Sequence, residues 1–170
     1  MNIIITGHKR HGKDTACDYI KEQTGLTFTN SSFAVAEEYI FPKLKELYGY
    51  QTLEECYNDR VNHRKEWYDL ICDYNEEDKA KMGKLIFSQS NIYCGLRNIE
   101  ELKEMRKIGL VDTVIWVDAS ERLPPEDVES MTITQADCNI VINNNRGIQE
   151  FHNVLDVLIM KLKLYTIKPK

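Results

Sequence analysis

The stretch Asn2-Ile3-Ile4-Ile5-Thr6-Gly7-His8-Lys9-Arg10-His11-Gly12-Lys13-Asp14-Thr15 decides the reading of this chain. A short β-branched apolar run comes first and reads as a buried strand. Gly7 to Gly12 is a polar loop. From Lys13 the pattern turns helical, with Ala16, Cys17, Tyr19 and Ile20 on one broad face that ends near Gly25. The loop matches GxxxxGK, the phosphate-binding pattern, and it sits between a strand and a helix as that mechanism requires. Glycines let successive backbone N–H groups turn toward phosphate oxygens, and the first helical turn adds its own unpaired donors and the positive end of its dipole. Lys13 would reach the β- and γ-phosphates of a nucleotide as a point charge. The bland alternative is a glycine-rich turn with no ligand.

Gly7, His8, Lys9, Arg10, His11, Gly12, Lys13, Asp14 and Thr15 are therefore the expected ATP-binding set. Lys9 and Arg10 add positive charge near the phosphates or are solvated surface. His8 and His11 read as loop-surface residues rather than catalysts. One position departs from the pattern. The residue after the lysine is usually Ser or Thr, whose hydroxyl holds Mg²⁺, and here it is Asp14 followed by Thr15. A carboxylate beside a triphosphate is repelled unless a metal or water intervenes, so Asp14 is expected on the metal, with Thr15 as second candidate. A purely structural Asp14, favoured by the helix dipole by about 0.3–1 kcal/mol, stays open.

Outward from the loop, short apolar strands alternate with helices. Leu26–Thr29, Ile92–Cys94, Thr113–Val117 and Ile140–Ile142 read as further strands. Phe33–Tyr48 reads as a helix that Pro42 starts, kinks or interrupts. Leu53–Lys84, the most charged stretch, reads as two or three helices. Ile99–Lys107 and Ile148–Leu164 read as amphipathic helices, and the tail Lys161–Lys170 as basic and frayed. Ser120–Asp137 holds Pro124 and Pro125 with weak periodicity, and reads as a loop or lid. This alternation predicts an α/β fold with a central parallel sheet and helices on both faces.

Composition bounds the rest. The chain has 170 residues, 42% hydrophobic and 29% charged, with a formal net charge of −5. That argues for one domain and against a protein that coats nucleic acid, since a broad basic face is missing. Cys17, Cys56, Cys72, Cys94 and Cys138 are odd in number and without a CxxC pair, so they read as reduced thiols, and the four histidines do not join them at zinc-ligand spacing. No signal-peptide architecture opens the chain, and no apolar run nears the roughly 18 residues of a membrane span. A cytoplasmic location is expected.

The arginines outside the loop carry the acceptor reading. Arg97 follows Gly95 at the carboxyl end of a predicted strand, where open α/β sheets bind ligands, and would clamp a phosphate bidentately. Its bland alternative is a surface arginine. Arg60 and Arg64 are four apart and are expected to share a helix face, either around an anion or paired with Asp59 and Glu66. Trp67 and Tyr68 stack on a base or pack in the core. Arg122, in the lid candidate, folds over the transferring phosphate or is a mobile loop residue. Asp118 is a second metal group or a turn residue, Asp137 contacts a nucleotide or caps a turn, and Asn143 lies near the donor base or simply in an Asn turn.

Gly12-Lys13-Asp14-Thr15 after a strand, Gly95-Leu96-Arg97 after a middle strand, Asp137 to Asn143 before the last helix, and Asn62-His63-Arg64-Lys65-Glu66-Trp67-Tyr68-Asp69 together resemble the bacteriophage-type deoxynucleoside monophosphate kinases, in order along nearly the whole chain. The resemblance implies a three-layer P-loop kinase fold with five parallel strands, a single domain over 1–170, an acceptor-binding helical region at about 50–88 and a lid at about 119–137. It implies transfer of the ATP γ-phosphoryl, with Mg²⁺, to a deoxynucleoside monophosphate in the cytoplasm of an infected host. Lys13, Arg97 and Arg122 would be catalytic, Asn143 would lie on the ATP side, and Arg60, Arg64, Trp67, Arg97 and Asp137 would bind the acceptor. A homodimer is compatible with this reading, and neither nucleic acid nor a membrane is expected as a partner. The rivals are a kinase of another phosphorylated metabolite, such as phosphomevalonate or dephospho-coenzyme A, and a non-catalytic nucleotide switch.

Overall fold

In the computed structural model, which describes residues 1–126 and 131–170, the first strand becomes the centre of the molecule. Strands β1 (Ile3–Thr6), β2 (Phe28–Asn30), β3 (Ile92–Cys94), β4 (Thr113–Asp118) and β5 (Ile140–Asn143) form one five-stranded sheet in the order β2-β3-β1-β4-β5. Every pairing is parallel. Ile3 lies opposite Ile92 on one side and Thr113 on the other.

Parallel strands buried on both faces must be apolar at every position, and Ile3, Ile4 and Ile5 are all fully buried. Their alternation sorts the core into two layers. Ile4, Tyr93, Val114 and Trp116 face one cluster, whereas Ile3, Ile5, Ile92, Cys94, Ile115 and Val117 face the other. The second layer is covered by α1 (Lys13–Thr24), through Ala16, Cys17 and Ile20, and by the last long helix through Phe151, Leu155 and Leu158.

The first layer is covered by the middle of the chain. Ser31–Ala34 forms α2, Ala36–Ile40 a π-helical turn and Phe41–Tyr48 α3. The helical stretch is divided near Pro42, which stands in the first turn of α3, where its missing N–H costs nothing. The Ile40 N–H instead reaches the Val35 carbonyl at 3.0 Å, five residues back. The charged stretch holds three helices, α4 (Leu53–Asp59), α5 (Arg64–Tyr74) and α6 (Lys81–Gln89). Next come α7 (Ile99–Lys107) and, after β5, α8 (Ile148–Leu162).

Two expectations need correction. Arg60 and Arg64 do not share a helix: Arg60 caps the end of α4 and Arg64 begins α5. The turn between them is held by the Asn62 amide donating to Asp59 Oδ1 at 2.6 Å and by the Asn62 N–H on the Asp59 carbonyl at 2.9 Å. Such local side-chain bonds compete with helix continuation. The tail is not frayed either. Leu164 is fully buried, and the Lys170 ammonium donates to Asn2 Oδ1 at 2.7 Å and to the Phe87 carbonyl at 2.5 Å. Residues 127–130, part of the expected lid, lie outside the described residues. All five cysteines are free thiols. No described helix is long and apolar enough to cross a membrane.

Candidate active site

The loop between β1 and α1 is built on tight backbone. Gly7 has φ of 140° and Gly12 of 99°, and a Cβ on Gly7 would stand 2.5 Å from the Val117 carbonyl oxygen. Only glycine lets the loop lie this close to β4. Lys13 opens α1 with 8% of its surface exposed, and its ammonium donates to the His8 carbonyl at 2.7 Å. Burial, and then the Arg97 charge, hold its ammonium below the usual lysine range.

His11 is not on the loop surface. It is fully buried, and its Nδ1 accepts the Ala119 N–H at 3.0 Å while Nε2 has no partner. His8 sits edge-on to both His11 and Trp116, and its Nδ1 accepts the Glu126 N–H at 3.2 Å. Burial, and then His11, depress the His8 pKa, so it stands neutral in the loop. Lys9 and Arg10 are exposed, Arg10 with φ of 66°.

Asp14 and Thr15 are exposed in the first turn of α1. Asp14 Oδ1 accepts the Cys94 thiol at 3.6 Å. Among the described residues no cluster of three or more His, Cys, Asp or Glu side chains is present. The available donors therefore fit Mg²⁺ in one manner. That ion takes one or two protein oxygens and fills the rest of its sphere with phosphate and water. Asp118 is occupied otherwise, since its carboxylate accepts the Ser120 N–H and hydroxyl and the Asn145 amide, as a turn residue does.

A cavity of about 560 Å³ opens beside the loop. It lies within the roughly 300–1,000 Å³ range of small-molecule sites. Arg60, Arg64, Trp67 and Arg97 all line it, together with Lys9 and Lys65. Gly95, also in its wall, has φ of 85°, and its Cβ position is 3.9 Å from Lys13 Cε, which sets the cavity against the β1–α1 loop. No described carboxylate forms an ion pair with Arg60 or Arg64. Arg60 instead donates to the Tyr57 carbonyl at 2.8 Å and stacks 4.0 Å over the Tyr57 ring, and Arg64 donates to the Val61 carbonyl at 3.3 Å. Asp59 and Glu66, the alternative partners, accept from Tyr50 and Tyr48. Trp67 is both core and cavity wall, 4% exposed and edge-on to Tyr57.

The remaining candidates lie elsewhere. The Arg122 guanidinium donates to the Asn144 carbonyl at 2.8 Å, on the β5–α8 turn. Asp137 is outside the cavity wall: its carboxylate accepts the Thr134 N–H and hydroxyl, both at 2.8 Å, and closes a turn. Asn143 is exposed and accepts the Asn145 N–H. Its neighbour Asn144 is the one against the loop, with its amide donating to the His11 carbonyl at 2.8 Å.

Two further residues stand out. Glu126 accepts the Lys9 N–H and Arg97 Nη1, both at 2.7 Å, so its carboxylate joins the loop to Arg97. Glu101 lines the cavity at 5% exposure, and burial pushes its carboxyl up to about 7. Its signal was present in the sequence, because it falls four residues before Met105 on the apolar face of α7.

No protein-family model matches the sequence, and no curated protein matches it. Solved structures do. A shikimate kinase from Bacteroides thetaiotaomicron is similar at a TM-score of 0.52 and 10% identity, over 96% of this chain and 98% of that one. A shikimate kinase from Aquifex aeolicus aligns at 0.48 and 15% identity over 96% of both chains. A sugar kinase from a Janibacter species aligns at 0.48 and 11% identity over 96% of this chain and 94% of that one. The Bacteroides likeness and the all-parallel five-stranded sheet establish the α/β fold of the P-loop kinases.

Proposed function

We propose that the protein transfers the γ-phosphoryl group of ATP to a deoxynucleoside monophosphate, giving the diphosphate and ADP. The observation that carries this reading is the cavity against the β1–α1 loop, walled by five cations (Lys9, Arg60, Arg64, Lys65 and Arg97) and by the aromatic rings of Trp67, Tyr68 and Tyr93. Cations suit an acceptor phosphate, and the rings suit a flat base.

In this reading the loop and Lys13 hold the donor phosphates. Arg60, Arg64 and Arg97 orient the acceptor phosphate, whose oxygen is already anionic and needs no general base. That oxygen forms the new bond to the γ-phosphorus in line with the breaking bond to the β–γ bridging oxygen, which leaves with ADP. Catalysis of this kind is positioning and charge stabilisation. Mg²⁺ bound with ATP would neutralise charge on the β- and γ-phosphates, and Asp14 and Thr15 are the loop oxygens that would hold it. Arg122, tied to the donor side through Asn144, adds charge near the group in flight, and the chain acts as one domain with the helices of 50–88 on the acceptor side.

ADP release measured by coupled assay against each deoxynucleoside monophosphate tests this. Stimulation is expected from at least one of them. Stimulation instead by another phosphorylated metabolite would keep the donor half and replace the acceptor, and nucleotide binding with no turnover would favour a switch.

A further inference from the structure

Glu101 stands in a cavity otherwise built for an anion. The cavity's other carboxylate, Glu126, is bound to Arg97. No described lysine or arginine forms an ion pair with Glu101, and Lys79 acts on it only through its field. Asn75 neighbours it and offers one side-chain hydrogen bond that pulls the carboxyl part of the way back down, while Asn75 Oδ1 is committed to the Met82 N–H at 3.0 Å. A buried carboxylate is costly unless donors satisfy it, and it has two acceptor oxygens to satisfy. The cavity is where such donors would enter.

Resting on the kinase reading above, we propose that Glu101 is a specificity residue that accepts two adjacent N–H donors from the acceptor's base, which selects a guanine-type purine. The chemistry of the bases makes the choice. Guanine presents a ring N–H beside an exocyclic amine, a side-by-side donor pair that matches the two carboxylate oxygens. Thymine presents one ring N–H flanked by two carbonyls, which the carboxylate repels. Adenine and cytosine each present an amine beside an unprotonated ring nitrogen, so one carboxylate oxygen meets a lone pair. Tyr68 and Tyr93 stand close enough to feel the Glu101 charge, and with Trp67 they give the base aromatic surface on which to stack. Sites built to pair polar groups reject the unpaired analogue strongly.

The groups facing Glu101 are Tyr68 and Cys72 from α5, Lys79 from the α5–α6 connection and Tyr93 from β3. Burial pushes the Tyr68, Cys72 and Tyr93 pKa values up, so among the acidic groups there Glu101 is the one that changes charge near neutrality. The ionised form is the double acceptor. Preference for guanine should therefore grow as pH rises through about 7.

The test is kcat/KM for dGMP, dIMP, dAMP, dCMP and dTMP with saturating ATP from pH 6 to 9, for the native chain and for Glu101→Gln. The native chain should favour dGMP at least tenfold over dAMP, dCMP and dTMP. dIMP, which lacks the 2-amino group, should fall between. The dGMP-to-dTMP ratio should rise with pH, and the ratio cancels ionisation of the shared phosphate. In Glu101→Gln that ratio should drop at least tenfold and lose its pH dependence. A native chain with no guanine preference overturns the inference without any variant, and so does a Glu101→Gln ratio equal to the native one. In both of those cases turnover of some deoxynucleotide leaves the kinase reading standing. Turnover of none of the five overturns both.

Discussion

Lys13 and Glu101 are both nearly buried beside the cavity, and each can be tested alone. Lys13 has its ammonium on the His8 carbonyl, poised in the loop rather than paired with a carboxylate. Lys13→Met should lower kcat by at least ~100-fold, the scale of losing one preorganised charge stabiliser, while the melting temperature stays level or rises because a desolvated charge is gone. Steady-state kinetics with a thermal melt on the same sample checks both halves. Glu101 offers a linkage test. Its folded pKa is raised from 4.5 to about 7, so the native state binds this proton more tightly than the unfolded chain. Its contribution to stability is therefore present below pH 4.5 and is lost as pH rises toward 7. Relative to Glu101→Gln, the ligand-free native chain should lose about 3 kcal/mol between pH 4.5 and 8, read from urea denaturation at each pH. What sequence reading could not supply at this scale is partnership across the chain. Glu126 meets Lys9 and Arg97 from far along the sequence, and Asn144, the first residue past β5, rather than Asn143 turns to the loop.

At the scale of elements, the β1–loop–α1 unit holds the site together. Gly7→Ala should destabilise the protein by about 1–3 kcal/mol, because its Cβ would meet the Val117 carbonyl at 2.5 Å and its φ of 140° suits only glycine. A denaturation midpoint shifted to lower denaturant, with an unchanged slope, is the expected outcome. This unit was legible in the sequence, as were β3 and α7, since continuous β-branched or periodic runs bounded by glycine leave little choice of element. The Phe33–Tyr48 stretch was less so. Its apolar spacing is helical throughout, but packing and Pro42 divide it into α2, a π-turn and α3. The α4–α5 turn escaped for a different reason. Charged residues at helical spacing carry no sign of the Asp59–Asn62 bonds that end α4.

For the whole molecule, a net charge of −5 leaves room for a local positive site because the cations are gathered. Lys9 from the loop, Arg60 from the end of α4, Arg64 and Lys65 from the first turn of α5 and Arg97 from the segment after β3 converge on one cavity. That convergence follows from the parallel sheet, whose carboxyl ends carry the Gly7–Gly12 loop after β1 and the Gly95–Arg97 segment after β3 side by side. Strand alternation made the sheet readable from sequence. The folding of the charged middle over one face of it, which brings Arg60 and Arg64 to Arg97, depends on tertiary packing that no local pattern encodes. The most direct measurement is ADP formation by the native chain with Mg²⁺–ATP and each deoxynucleoside monophosphate in turn, with the product identified by chromatography. Acceptor-dependent ADP release with an equal amount of the corresponding diphosphate is expected. ATP turnover that no deoxynucleoside monophosphate stimulates would contradict it.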